Sequence, residues 1–414
     1  MQDNWKTEDT PRVLMACAHA LAGKRRILAG SLFLLFCPAA PYAAEWSLDP
    51  AVTVAVGNES NAALTIGPHD SVSRTVLFPR ITIERTTETS EVNLELQARA
   101  TYYSSSEFEN TQEKQVALSS FIQSTERTKL AFDAEYRWDT LFESETIVSG
   151  TGNPQDVDIG LVTTSIDRDW REVQPMVVYA LTERSSLAFL YRLTDVLFDN
   201  VGTTGLVDYQ QHYLSGSYFY RLTDTNDLRV VVQGAQFRPG AGTESDSTAL
   251  LAGINHKFSS ITNAGFQAGV GETAETYADG SQAEVNTIVL EATATQQSEL
   301  SRLEALISRG IQPSGSGRSV SADQLRVFWD RRLYPAIRLR VWAKIFRNQA
   351  LEGTDLAVDR HYAETEVRLS WRIMPEWSLS TAYKYRTQKY DADVDSAESS
   401  GVVFAATWVP QQWR

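Results

Sequence analysis

Most of the side chains in this sequence that could do chemistry crowd into its last third. Arg326, Asp330, Arg332, Arg338, Arg340, Lys344, Glu364, Glu366, Arg368, Arg372, Lys384 and Arg386 recur in one alternating phase, and Phe328 and Trp342 share it. A spacing of two places side chains on one face of a β-strand, and a face charged along its length requires water beside it. Basic residues outnumber acidic ones from Arg326 through Lys344. Such a face draws anions, carboxylated sugars among them, as arginine rings do in pores, and the two aromatics are placed to stack on sugar rings. The same residues also read as a brace, with Arg and Glu on neighbouring strands joined in ion pairs.

The positions between those charges are apolar, and this defines the elements that must carry them. Leu325, Val327 and Trp329 alternate with Arg326, Phe328 and Asp330, and Leu339, Val341, Ala343 and Ile345 alternate with Arg338, Arg340, Trp342 and Lys344. Val92 to Tyr102 is apolar at every even position and polar or charged at every odd one. Leu130, Phe132, Ala134, Tyr136 and Trp138 share a phase against Asp133, Glu135, Arg137 and Asp139, with Trp138 near an end where an aromatic girdle would sit. The unit recurs about eighteen times from Trp46 onward, in runs near the ~9–11 residues that a tilted strand needs to cross a bilayer. A soluble sandwich also alternates, but its strands are usually ~5–6 residues long. The expected fold is therefore all-β: a transmembrane antiparallel up-and-down barrel in an outer membrane, wet inside and lipid-facing outside.

Strands are expected near 47–56, 73–85, 91–103, 114–124, 129–141, 171–182, 186–197, 208–221, 227–238, 247–258, 263–275, 285–296, 299–310, 323–333, 336–348, 361–373, 377–389 and 401–409, eighteen in all, with sixteen as the alternative. Short breaks such as Thr86-Thr87-Glu88-Thr89, Thr182-Glu183-Arg184-Ser185 and Met374-Pro375-Glu376 read as tight turns. They alternate with longer Gly-rich ones, including Asn200 to Val207, Pro239 to Ser245, Ala278 to Glu284, Pro313 to Ser319 and Leu351 to Arg360. Barrels of this kind keep short turns on the periplasmic side, where an even strand count also puts both termini. The longest break, Ser144 to Trp170, either folds into the lumen and narrows it or stays at the surface.

Residues 1–44 read as an N-terminal extension and a secretory signal, and residues 45–414 as one barrel domain. Lys24-Arg25-Arg26 precede an apolar run from Ile27 to Phe36 and a small-residue stretch, with cleavage near Ala43 or Ala44 and translation starting at Met1 or Met15. Cys17 and Cys37, the two cysteines of the chain, both fall in the discarded segment, so disulfide and thiolate chemistry are excluded from the barrel. A net charge of −14 argues against nucleic acid. No cofactor is indicated, and Asp391-Ala392-Asp393-Val394-Asp395 reads as a solvated loop in preference to a metal site. The chain shows neither Gly-x-Ser-x-Gly nor His-Glu-x-x-His. His69, His212, His256 and His361 are scattered without a Ser/Asp constellation, so no enzyme is expected.

Trp46-Ser47-Leu48-Asp49-Pro50, followed by Gly57-Asn58-Glu59-Ser60-Asn61-Ala62-Ala63-Leu64, resembles the opening of a family of β-barrel porins found with exopolysaccharide and PEP-CTERM systems. Arg168-Asp169-Trp170-Arg171-Glu172-Val173-Gln174-Pro175, Tyr218-Phe219-Tyr220-Arg221-Leu222 and Trp371-Arg372-Ile373-Met374-Pro375-Glu376-Trp377 add to the likeness. The chain departs from that family at Glu59-Ser60, where Thr-Asp is expected, and in ending on Trp413-Arg414 in place of a terminal Phe. What the resemblance implies is an outer-membrane conduit for an exopolysaccharide delivered by a periplasmic export protein and an inner-membrane synthase; the arginine-rich face adds the expectation that the polymer is anionic. Two other expectations stand beside it: a general diffusion porin for small solutes, and a structural or adhesive barrel that displays its loops.

Overall fold

The computed structural model describes residues 44–141, 166–199, 205–351 and 359–410. The signal region, most of the Ser144 to Trp170 break and the Trp413-Arg414 end lie outside the described residues. Among the described residues the chain forms eighteen strands: β1 (Glu45–Glu59), β2 (Val72–Thr86), β3 (Ser90–Tyr103), β4 (Thr111–Gln123), β5 (Thr128–Thr140), β6 (Asp167–Ala180), β7 (Ser185–Phe198), β8 (Tyr209–Thr223) and β9 (Asn226–Pro239) in the first half. The second half supplies β10 (Glu244–Lys257), β11 (Thr262–Thr276), β12 (Gln282–Gln297), β13 (Ser301–Ser314), β14 (Arg318–Tyr334), β15 (Ile337–Ala350), β16 (Arg360–Arg372), β17 (Trp377–Tyr390) and β18 (Ala397–Trp408).

Each strand pairs antiparallel with its chain neighbours, and β1 closes the ring on β18 from Val52↔Trp408 to Glu59↔Gly401. Closure removes the sheet edges, and a closed sheet satisfies backbone groups where no water can reach them. The eighteen-strand count holds and the sixteen-strand alternative is set aside. Most strands extend past their expected ends, because polar outward residues continue the pairing beyond the apolar runs. The Pro313 to Ser319 break is largely strand. β13 and β14 stay in register to Ser314↔Arg318, and Gly and Pro content made that segment read as loop.

Register sorts the alternating side chains into two surfaces. Outward lie Val54, Leu77, Val232, Val270, Ile288 and Phe404, with Val270 still 68 % exposed. A continuous exposed apolar band round a closed sheet is a lipid-facing surface. Trp46, Trp371, Trp377 and Trp408 mark its lower rim, where Trp377 stands opposite Trp408. At its upper rim the outward residues change to Arg171, Asp195, His212, Glu272, Asn286, Arg309 and Lys389, so the strands continue beyond the bilayer as a polar collar.

The tight turns cluster at the end that holds the chain termini, and a hydroxyl builds several of them. Thr87 accepts from the Ser90 N–H at 2.9 Å, Thr125 from Thr128 at 2.9 Å, and Ser298 from Ser301 at 3.1 Å. One stretch of wall depends on glycine. A Cβ on Gly269 would meet the Leu250 carbonyl oxygen at 1.9 Å, and one on Gly253 the Phe266 oxygen at 2.4 Å. Both obstacles are backbone and cannot yield. Gly269→Val should therefore cost at least ~1–3 kcal/mol and lower the temperature at which the refolded barrel loses its compact mobility on a detergent gel. Gly216→Ala, whose nearest contacts are Phe189 ring atoms at 3.6 and 3.7 Å, should leave that temperature unchanged.

Candidate functional site

The charged residues singled out above form a grid on the inner face of β14 to β17. Its outermost row is Arg326, Lys344, Glu364 and Arg386, and the next is Phe328, Trp342, Glu366 and Lys384. Below them come Asp330, Arg340 and Arg368, then Arg332 and Arg338, with Arg372 at the lower rim. Three directly opposed pairs carry like charge: Arg326↔Lys344, Arg340↔Arg368 and Arg332↔Arg338. Like charges facing across a ladder destabilise it. Asp330 relieves part of this, 3.4 Å from both Arg338 and Arg340, and Glu366 lies 2.8 Å from Arg368. The side chains of Arg338 and Arg340 remain 50 % and 32 % exposed to the lumen, and Arg340 lies over the Phe328 ring at 5.6 Å.

β5 lies nine strands round the ring from β14, on the opposite wall. That wall is richer in acid. Asp133, Glu135 and Asp139 face inward from β5, beside Glu172 of β6 and Glu113 of β4. Its cations are committed to neighbours. Arg168 grips Asp139 through two bonds of 2.9 and 2.8 Å, Arg99 meets Glu113 at 2.6 Å, and Arg192 donates to Gln174 at 2.7 Å. A basic wall thus faces a braced, acidic one across the water, and a transverse field results.

The upper end of the lumen is narrowed by segments that fold inward, and the first is the connection after β1. There the Asn61 side chain clamps Thr65, donating to its oxygen at 2.9 Å and accepting from its N–H at 3.1 Å. The clamp turns Leu64 into a left-handed conformation, φ 49°, which costs a non-glycine residue roughly 1–2 kcal/mol. Packing holds it there: Leu64 is 3 % exposed against Phe346, Tyr362 and Ala397 of the inner wall. Beneath this knob the ion pairs are closed. Glu59 meets Arg74 at 2.7 Å and Arg386 at 2.8 Å, and Arg386 also donates to the Ala62 oxygen at 3.1 Å. Lys384 meets Glu364 at 2.6 Å, and Tyr362 donates to Glu364 at 2.8 Å. Glu364, Lys384 and Arg386 therefore share the inner face with the other grid residues but lie buried under the knob. Gly401 makes this possible, since a Cβ there would meet Glu59 Cγ at 2.7 Å.

Three further segments close in from other sides. Leu141, Ile166 and Leu206 from the connections cover Val196, Phe198, Tyr209 and Phe237 of the inner wall in one buried apolar cluster, with Trp170 against it. The outer end of β13–β14 leans over β10 and β11, burying Thr273 and Glu275. Sequence reading looked for a narrowing loop only in Ser144 to Trp170, of which residues 144–165 lie outside the described residues. The connection after β1 was missed, although Ala62-Ala63-Leu64 is an apolar patch in an otherwise polar break, and Glu59 ends a strand inside the resemblance motif. Among the described residues no cluster of His, Asp and Glu could hold a metal ion.

A closed ring of eighteen strands, belted with exposed apolar residues and wet within, is an integral outer-membrane β-barrel of the porin type. No protein-family model and no curated protein matches the sequence. Among solved structures, the chain is similar to the outer membrane protein opdK from Pseudomonas aeruginosa, at 10 % identity over 89 % of this chain and 99 % of that one, with a TM-score of 0.43. OccK9 (OpdG) of the same organism matches at 12 % identity over 88 % and 99 %, TM-score 0.46. OpdQ matches at 9 % over 88 % and 99 %, TM-score 0.43. Likeness at this level says nothing about solute.

Proposed function

We propose that this barrel is a diffusion pore that prefers small anionic solutes, reached in the outer membrane by way of the signal in residues 1–44. The observation that carries the reading is the set of opposed cations, Arg326↔Lys344, Arg340↔Arg368 and Arg332↔Arg338, held on a water-filled face at a cost to the ladder. Guanidinium groups bind carboxylate and phosphate through paired N–H donors. Asp330 and Glu366 compete for those donors, so a passing anion is handed from one arginine to the next without being trapped, as conduction requires. The inward segments favour small solutes, because each takes space from the mouth.

Export of an anionic polysaccharide, with a periplasmic partner, is a second reading. It is favoured by Phe328 and Trp342, which stand directly opposite each other inside the arginine grid and put aromatic surface where a sugar could pass. Single-channel recording in a planar bilayer separates the two. Under a salt gradient the reversal potential should show anion preference. Acidic monosaccharides should permeate, and acidic oligosaccharides should be excluded above a short length. Blockades that keep lengthening with the oligomer would favour polymer passage, and a cation-preferring current would overturn both.

A further inference from the structure

Between β12 and β13 the barrel wall is open near its outer end. The β11–β12 ladder runs to Thr276↔Gln282, and β13–β14 runs to Ser314↔Arg318, but β12–β13 stops at Leu290↔Arg309. Above that pair the two hairpins part. Residues 282–289 of β12 and 310–314 of β13 are in strand conformation yet unpaired with one another. The β13–β14 end has turned inward, where Gly317 accepts from the Thr243 N–H at 2.9 Å and Gly315 from the Val207 N–H at 2.8 Å. Ser245 Oγ and Ser319 Oγ lie 2.6 Å apart. The approach is close enough that a Cβ on Gly242 would sit 2.5 Å from the Gly317 oxygen.

We infer that the outer end of the β13–β14 hairpin is a gate with two seats, one across the mouth and one in the wall. In the wall seat the existing register continues, so Ile311 meets Ile288 and Pro313 meets Asn286, and the exposed edge of β12 gains its partner. The bonds to Thr243, Val207 and Ser245 are given up in exchange. The two sets are of comparable size, which is the condition for a bistable element. The hinge falls at Gly310, directly after the last β12–β13 pair, where no atom lies within 4 Å of a Cβ and the chain is free to bend. Pro313, which brings no N–H to either ladder, keeps the hairpin from zipping irreversibly into the wall.

Engineered disulfides test this cleanly, because the native cysteines, Cys17 and Cys37, both precede the barrel. Ser245→Cys with Ser319→Cys should oxidise readily and hold the hairpin across the mouth. Reduction in the bilayer chamber should then raise the conductance roughly 1.5- to 2-fold, since a two-stranded ribbon about 10 Å across leaves the opening. Ile288→Cys with Ile311→Cys, which leaves Pro313 in place, should also oxidise, more slowly, and lock the higher conductance. The inference fails if the first pair does not oxidise, if its conductance is the same oxidised and reduced, or if the second pair never forms or locks the lower level. Each readout is a ratio within one barrel and is independent of which ions the pore prefers.

Discussion

Replacing Arg338 and Arg340 together by Ser should abolish the anion preference of the channel and leave the barrel at least as stable as before. Both guanidiniums are exposed to the lumen, and both share the single carboxylate of Asp330 at 3.4 Å. Their loss removes two positive charges from one wall and releases the negative charge of Asp330 into the water, while the acidic wall opposite is untouched. A unit charge at contact is worth about 1 kcal/mol in a water-like medium, so the anion-to-cation permeability ratio should fall about tenfold, read as a shift of the reversal potential under a salt gradient. The stability half of the result separates function from bracing. A brace that is cut weakens the wall. Here the double replacement also removes the like-charge contacts with Arg332 and Arg368, each worth up to ~1 kcal/mol of repulsion, so the unfolding temperature in detergent should hold or rise. An unchanged reversal potential, or a marked loss of stability, would make these arginines structural.

That this wall was legible in the sequence follows from the geometry of strands. A period of two fixes which residues share a face, and a lipid exterior forces the apolar set outward, so the inward assignment of Arg326 through Arg386 needed no knowledge of contacts. The strand count was legible for the same reason. Sequence periodicity cannot say what covers a face. Glu364, Lys384 and Arg386 have the same phase as Arg338 and Arg340, yet they lie under the Asn61 to Leu64 knob, whose own signal is a short apolar patch in a polar connection. The β13–β14 end was hidden for the opposite reason. Its Gly, Ser and Pro content suits a loop, and only the pairing of Pro313 with Ser319 shows that it is strand.

Glu59→Ala should open the mouth and raise the conductance. Glu59 is 3 % exposed and is shared by Arg74 and Arg386, and Arg386 is itself almost wholly buried. Removing one partner from a buried pair costs about 3–5 kcal/mol, because the remaining charge keeps its desolvation penalty without its compensation. The barrel does not have to unfold to escape that penalty. The knob is a connection and can lift from the wall, which readmits water to Arg386 and relaxes the left-handed Leu64. Leu64→Ala should act in the same direction by deleting its contacts with Phe346, Tyr362 and Ala397, a change worth ~2–5 kcal/mol for a buried leucine. The two effects should not add, since both release the same segment. Protease cleavage within residues 60–71, absent in the parent, would report the release independently of the current. Glu59→Leu with Arg74→Leu and Arg386→Leu supplies the decisive comparison. It replaces the buried ion triad by apolar bulk, which is often neutral or stabilising, and so should keep the knob seated and the conductance low. An open channel in that variant would mean that the ion pairs are needed for more than seating the knob, whereas a parent-like current in Glu59→Ala would mean that they do not seat it at all.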